Sequence, residues 1–229
     1  MKLATFVLHG MTEIGAVLDD SIVPLQLALD AACAAADQPA ELLPVDMRAL
    51  LAAGEAALVS ASRALAFAAR PENASLRRPL AAVRLLAPLQ PGKILGVGRN
   101  YADHAKEVGG PKLTAPRIFL KPGSSVCGPG SQVHIPASVT KPDWEVELAV
   151  VIGRTAWQVD EGTALDHVAG YTVLNDISAR EFQFDQPLAM TSFAKGLDGF
   201  CPLGPYLVTA DEVGEPWQLG LRCWLNDEL

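Results

Sequence analysis

Apolar positions fall into short repeats along the first third of the chain. Leu3–Val7, Gly15–Leu18 and Val23–Leu25 read as short strands joined by turns. Alanine-rich stretches at Leu25–Ala36 and Met47–Ala57 then carry apolar residues at helical spacing. Pro39, Pro44, Pro71, Pro79 and Pro88 punctuate the segment, and His9 is its one histidine. Residues 1–88 are therefore expected to form a small α+β accessory domain. From Lys93 onward the pattern changes to strands at Ile94–Val97, Arg117–Leu120, Glu145–Ile152, Tyr171–Leu174 and Leu219–Leu225, with Pro-Gly turns at 122–123 and 129–130. A short helix is expected over Tyr101–Val108, with Asn100 as N-cap and Gly109-Gly110 as its stop, and another near Ala164. Many strands with few helices predict an α+β fold whose second part, residues 89–229, is a β-rich, largely antiparallel sheet or roll.

One strand carries candidate chemistry. In Asp143–Gly153, alternation sets Trp144, Val146, Leu148, Val150 and Ile152 on one apolar face, expected to be buried. The other face reads Glu145, Glu147, Ala149, Val151, so two glutamates stand where a covered face opens, about 6.6 Å apart along the strand. Carboxylates that close to a core repel each other unless a cation neutralises them. An edge strand that merely solvates its glutamates gives the same pattern. The third member favours the cation: the apolar strand ending at Leu174 leads into Asn175-Asp176. Three carboxylates without His or Cys suit a hard octahedral ion, Mg²⁺ or Mn²⁺ with Ca²⁺ as a further candidate, and suit zinc or copper poorly.

Charge and cysteine usage narrow the class. Eighteen basic against 26 acidic residues give a net charge of -8, a field that repels nucleic acid. Four cysteines stand far apart with no CxxC spacing, which fits a reducing, cytoplasmic setting. The opening MKLATFVLHG has no signal-peptide pattern, and no apolar run is long enough to span a membrane.

A second cluster is Asn100–Glu107. His104 and Glu107 stand three residues apart on the expected helix, close enough for the glutamate to raise the basicity of the imidazole. An exposed helical pair without further role fits the same spacing. Gly96-Val97-Gly98 is no dinucleotide fingerprint, because Tyr101 stands where the third glycine belongs.

Five stretches in order, Gly96–Glu107 (GVGRNYADHAKE), Arg117–Pro122 (RIFLKP), Asp143–Gly153 (DWEVELAVVIG), Asn175–Gln183 (NDISAREFQ) and Ala194–Pro205 (AKGLDGFCPLGP), resemble the fumarylacetoacetate hydrolase family. The resemblance implies a β-rich roll of mixed strands behind a small N-terminal domain, usually in homodimers. It implies Glu145, Glu147 and Asp176 as metal ligands, His104 with Glu107 as a water-activating dyad on a lid, and Lys195 as the lysine that reaches the metal-bound substrate. Arg180 and Gln183 match positions that contact the substrate. The activity implied is hydrolysis of a carbon–carbon bond in an acylpyruvate-type 2-oxo acid, of the fumarylacetoacetate or fumarylpyruvate kind met in aromatic catabolism. Decarboxylation or isomerisation of oxo-diacids, of the oxaloacetate or 2-oxohept-3-ene-dioate type, is the alternative within the family. Family chains continue past Trp224–Leu229 with a Thr-Gly-Thr-Pro-x-Gly motif, so the catalytic domain is expected to lack its C-terminal part. A ligand-binding protein without turnover is the alternative of another class.

Overall fold

The computed structural model describes residues 1–102 and 113–228. Most of the expected helix Tyr101–Val108, the lid, and with them His104 and Glu107, lie outside the described residues. The fold is α+β. Its strands are β1 Lys2–Leu8, β2 Met11–Leu18, β3 Ser21–Pro24, β4 Arg78–Pro79, β5 Arg84–Leu85, β6 Ile94–Gly98, β7 Arg117–Lys121, β8 Val126–Cys127, β9 Pro142–Asp143, β10 Val146–Ile152, β11 Val168–Asn175, β12 Ser178–Ala179, β13 Cys201–Pro202 and β14 Leu207–Thr209. The largest sheet has eight strands in the order β10-β11-β14-β1-β2-β3-β4, with β5 also paired to β1. Its pairings are antiparallel.

Both faces of this sheet are covered, because β1 alternates between two cores. Leu3 joins Ala16, Val23 and Leu207 beneath the helices α1 Leu25–Ala35, α2 Met47–Ala52 and α3 Glu55–Ala69. Ala4 and Phe6 point the other way, onto Ile22, Leu80, Val83 and Leu85. The helices obey the same logic. Leu25, Ala28, Leu29, Ala32 and Cys33 bury one stripe of α1, while Ala61, Ala64 and Ala68 let α3 approach it closely. The stretch Met47–Ala57, expected as one helix, is two. Gly54 between them adopts a left-handed φ of 74°, and α2 starts on an Asp46 cap that accepts from the Ala49 N–H at 2.8 Å.

One seam ties the first strand to the site. β1 pairs with β14 through Lys2↔Val208 and Leu3↔Leu207, and β14 pairs with β11 through Gly170↔Thr209 and Tyr171↔Val208. A single sheet thus carries strands from both sides of residue 88. Three small pairings complete the fold: the β6–β7 ribbon, the β9–β12 pair and the parallel β8–β13 pair.

Three expectations are corrected. Leu219–Leu225 forms no strand: Pro216–Gln218 is a 3-10 turn, an isolated Leu225–Glu228 bridge follows, and no strand among the described residues pairs with this backbone. The helix near Ala164 is a 3-10 segment, Glu161–His167. On β10 the apolar face is not the buried one: Trp144, Val150 and Ile152 are exposed, whereas Val151 and Ala149 on the glutamate side pack against the cores. Apolar alternation thus identified the strand but assigned its faces the wrong way round.

Gly170 is the tightest point of the seam. A Cβ added there would overlap the Val208 carbonyl oxygen and lie 2.9 Å from its carbon, with backbone and not a flexible side chain in the way. Gly170→Ala should therefore destabilise the fold by about 1–3 kcal/mol. A urea midpoint equal to that of the unchanged protein would show that the seam can give.

Candidate active site

Strand register brings the carboxylates together. Val146 pairs with Asn175, so Glu145, just before β10, faces Asp176, just after β11. The Asp176 N–H donates to the Glu145 carbonyl at 2.8 Å, and the Glu145 N–H donates to Asn175 Oδ1 at 3.1 Å. Glu147 stands two residues along on the same face as Glu145, opposite Leu174. All three line a cleft of about 1100 Å³ between the β6–β7 ribbon and β10, which also reaches Phe119, Gln183 and Phe184.

Two buried lysines hold this corner. Lys195 Nζ donates to Glu145 Oε2 at 2.6 Å, to Asp176 Oδ2 at 2.7 Å and to Ser178 Oγ at 2.6 Å. Lys121 Nζ donates to Asp176 Oδ1 at 2.6 Å, to the Phe200 carbonyl at 3.0 Å and to the Lys195 carbonyl. An ammonium has three donors, and both lysines use all three. Asp176, Lys121 and Lys195 are each at most 4% exposed. Lys195 ends the short helix Thr191–Ala194. The chain then turns at Gly196, where a Cβ would lie 2.5 Å from the Ser192 carbonyl oxygen.

Glu147 differs from its neighbours. Burial, together with the charges of Glu145 and Asp176, pushes its carboxyl up to about 7 against the pull of Tyr101 and Lys195. The Tyr101 hydroxyl beside it accepts the Leu148 N–H at 3.2 Å. Arg180, at the start of the helix Arg180–Phe184, donates from Nε to Asp143 Oδ2 at 2.8 Å and from Nη1 to Gln183 Oε1 at 2.8 Å, and pairs through Nη2 with Glu145 Oε1 at 2.6 Å.

Of the residues expected from sequence, Glu145, Glu147, Asp176, Lys195, Arg180 and Gln183 thus line or adjoin one cleft, while His104 and Glu107 are outside the described residues. Sequence reasoning missed Lys121, Ser178 and Asp143. None carried a local signal: Lys121 shares a face of β7 with Phe119, but that this face is the inward one is visible only in the fold.

Among the described residues no group of three Asp, Glu, His or Cys side chains is set to ligate an ion, for Lys195 and Lys121 take the oxygens of Glu145 and Asp176. The donor chemistry nevertheless fits a hard divalent cation. The donors are all carboxylates, two of them already converge on one positive atom, and a further positive charge would let the buried Glu147 ionise.

The chain is similar to known proteins. A family profile described as the C-terminal domain of fumarylacetoacetate (FAA) hydrolase matches residues 93–229, more than half of the chain. Over 135 residues the chain is 52% identical to a Burkholderia ambifaria protein named "Putative hydrolase", a match covering 59% of this chain and 47% of that one. It is 42% identical over 188 residues to a mitochondrial oxaloacetate tautomerase of Xenopus laevis, covering 82% and 57%. Maleylpyruvate hydrolase from Sphingobium sp. SYK-6, solved with manganese (II) ion and pyruvate, is similar at a TM-score of 0.68 and 31% identity, covering 94% of this chain and 70% of that one. The chain spans about half the length of the curated relatives it matches. With the profile, the motifs and the fold in agreement, the chain belongs to the fumarylacetoacetate hydrolase family.

Proposed function

We propose that this chain carries the cation-holding and substrate-holding part of an enzyme that cleaves a carbon–carbon bond in an acylpyruvate-type 2-oxo acid by hydrolysis. The observation that carries the reading is the convergence of Glu145 and Asp176 on one positive atom, beside Glu147, in a cleft. A divalent cation, Mg²⁺ or Mn²⁺, would be held by Glu145, Glu147 and Asp176, and when bound it supplies Lewis-acid polarisation of the oxo-acid oxygens. Lys195 brings a second, fixed positive charge to the same wall of the cleft. Its dry surroundings strengthen its attraction for negative charge that gathers on a substrate oxygen as the bond breaks. Arg180, braced by Asp143 and Gln183, would orient the far end of the substrate. His104, assisted by Glu107, would take a proton from the attacking water.

The similarity to maleylpyruvate hydrolase supports a hydrolytic activity of this kind, and that structure's manganese supports a divalent ion. The similarity to an oxaloacetate tautomerase, at 42% identity against 31% for the maleylpyruvate hydrolase, favours a second reading. There the same cleft serves proton movement or decarboxylation on an oxo-diacid and needs no attacking water. A homodimer belongs to the first reading. The outer face of the β6–β7 ribbon, where Leu95 pairs with Leu120 and Val97 with Ile118, leaves four exposed aliphatic side chains that association would cover. Turnover of acylpyruvates, oxaloacetate and oxo-dienoates, assayed with Mg²⁺ and with EDTA, tests these readings together. Activity undiminished by EDTA would end the metal-dependent reading.

Glu147→Ala should abolish Mg²⁺ or Mn²⁺ binding in calorimetry, because two carboxylates already paired with lysine give a hard cation too little charge. In the unchanged protein Glu147 holds a proton until about pH 7, so ion affinity should rise as pH increases through that value and level off above it. Affinity that survives the substitution, or that falls with rising pH, would remove Glu147 from the site.

His104→Ala should cut acylpyruvate hydrolysis by roughly a hundredfold or more, the usual worth of a general base. Ion affinity should survive, and oxaloacetate decarboxylation should suffer much less. Equal losses in both reactions would mean that His104 positions substrate and does not activate water.

A further inference from the structure

All four oxygens of Asp176 and Glu145 have cationic partners, but only one partner is shared. Asp176 Oδ1 is held by Lys121 at 2.6 Å, and Glu145 Oε1 by Arg180 at 2.6 Å. The second oxygens, Asp176 Oδ2 and Glu145 Oε2, meet at Lys195 Nζ. Of the two anchors, Lys121 is the immovable one. Its side chain is 2% exposed, and its other two donors are spent on the carbonyls of Lys195 and Phe200. A swing of Lys121 away from Asp176 would leave two buried carbonyls and a buried ammonium unsatisfied at once.

Divalent cations differ in what they ask of a carboxylate. Mg²⁺ requires near-ideal six-coordination and takes one oxygen from each carboxylate, whereas Ca²⁺ accepts six to eight ligands and binds carboxylates through both oxygens. We propose that Lys121 sets the ion preference of this site: by holding Asp176 Oδ1, it leaves Asp176 only Oδ2, the oxygen where an ion would replace the shared Lys195 contact, and so favours a small six-coordinate cation over Ca²⁺. The inference rests on the metal reading above. It makes Lys121 a positioning residue, acting through Asp176 and the backbone of Lys195.

The ratio of two ion affinities isolates this effect. Removing the Lys121 charge alters the local field about equally for two ions of the same charge, so a change confined to electrostatics leaves the Mg²⁺/Ca²⁺ ratio close to where it was. A crystal structure with Mn²⁺ separates a freed Oδ1 from a loosened site. Freeing Oδ1 helps only the ion that can use it. Calorimetric titration of the unchanged protein and of Lys121→Met with Mg²⁺ and with Ca²⁺ should show the ratio moving toward Ca²⁺ by about tenfold, the size usual for groups that orient metal ligands. Lys121→Gln, which keeps a donor for the two carbonyls but carries no charge, should move it the same way and serves if the Met variant does not fold. A ratio that stays put, or moves toward Mg²⁺, overturns the role of Lys121 alone. If the unchanged protein binds neither ion, the metal reading fails and this inference with it. A crystal structure of the unchanged protein soaked in Mn²⁺ decides without any variant: Asp176 ligating through Oδ2 with Lys121 still on Oδ1 supports the proposal, and ligation through both oxygens refutes it.

Discussion

A carboxylate shut away from water must find positive partners or give up its charge. Asp176, at 4% exposure, finds two, with Lys121 on one oxygen and Lys195 on the other. Lys121 has no other carboxylate partner among the described residues, Lys195 shares Asp176 with Glu145, and Asp176 would not be tolerated at its depth without them. Removing any one of the three leaves a buried charge uncompensated, at a cost of about 3–5 kcal/mol. The remaining donors of the lysines then dictate the surrounding backbone. The carbonyls of Lys195 and Phe200 must point inward to meet Lys121, and Ser178 must present its hydroxyl to Lys195 while donating to the Asp176 carbonyl. The loop from Lys195 to Phe200 is folded around this requirement, with Gly196 where Ser192 and Pro122 leave no room for a side chain, and Gly199 at a φ of 76°.

The sheet delivers Asp176 to that place. Antiparallel register sets Glu145 opposite it, and the β11–β14–β1 seam anchors β11 against a core that includes the N-terminal helices. Beyond the strand end, Ile177 and Ala179 sink into a separate small core with Phe200 and Val139. Asp176 is therefore flanked on both sides by apolar packing as well as held by the charges it meets. A site held by packing as well as by charge stays in place when its charge pattern changes on binding.

Much of this was legible in the sequence, and the rest was hidden for identifiable reasons. Period-two alternation located β1, β2, β6, β7, β10 and β11 to within a few residues, because each has an inner and an outer face. It failed on Leu219–Leu225, since alternation cannot reveal whether a partner strand exists. It also exchanged the faces of β10, where Val150 and Ile152 are exposed, because apolarity alone does not show which face the neighbouring elements cover. The carboxylates Glu145, Glu147 and Asp176 could be singled out because they interrupt apolar strands. Lys121 escaped because a lysine at the end of a strand ordinarily snorkels to water. Its burial depends on Asp176 and on two carbonyls more than seventy residues away, which no local pattern records.

The balance of charge at the site explains why it suits another cation. Among the described residues four carboxylates, Asp143, Glu145, Glu147 and Asp176, meet three permanent cations, Lys121, Lys195 and Arg180. Asp143, Glu145 and Asp176 divide those cations among themselves in short ion pairs. The excess negative charge falls on Glu147, and there the protein removes it by keeping the carboxyl protonated up to about pH 7. A carboxyl in that state is a reserve of one negative charge, released when something positive arrives. Its place is on the cleft wall, next to the two oxygens that already share a positive atom. The site is thus nearly neutral when empty, as a buried cluster must be to remain folded, and it can still draw one more positive charge toward the bottom of the cleft.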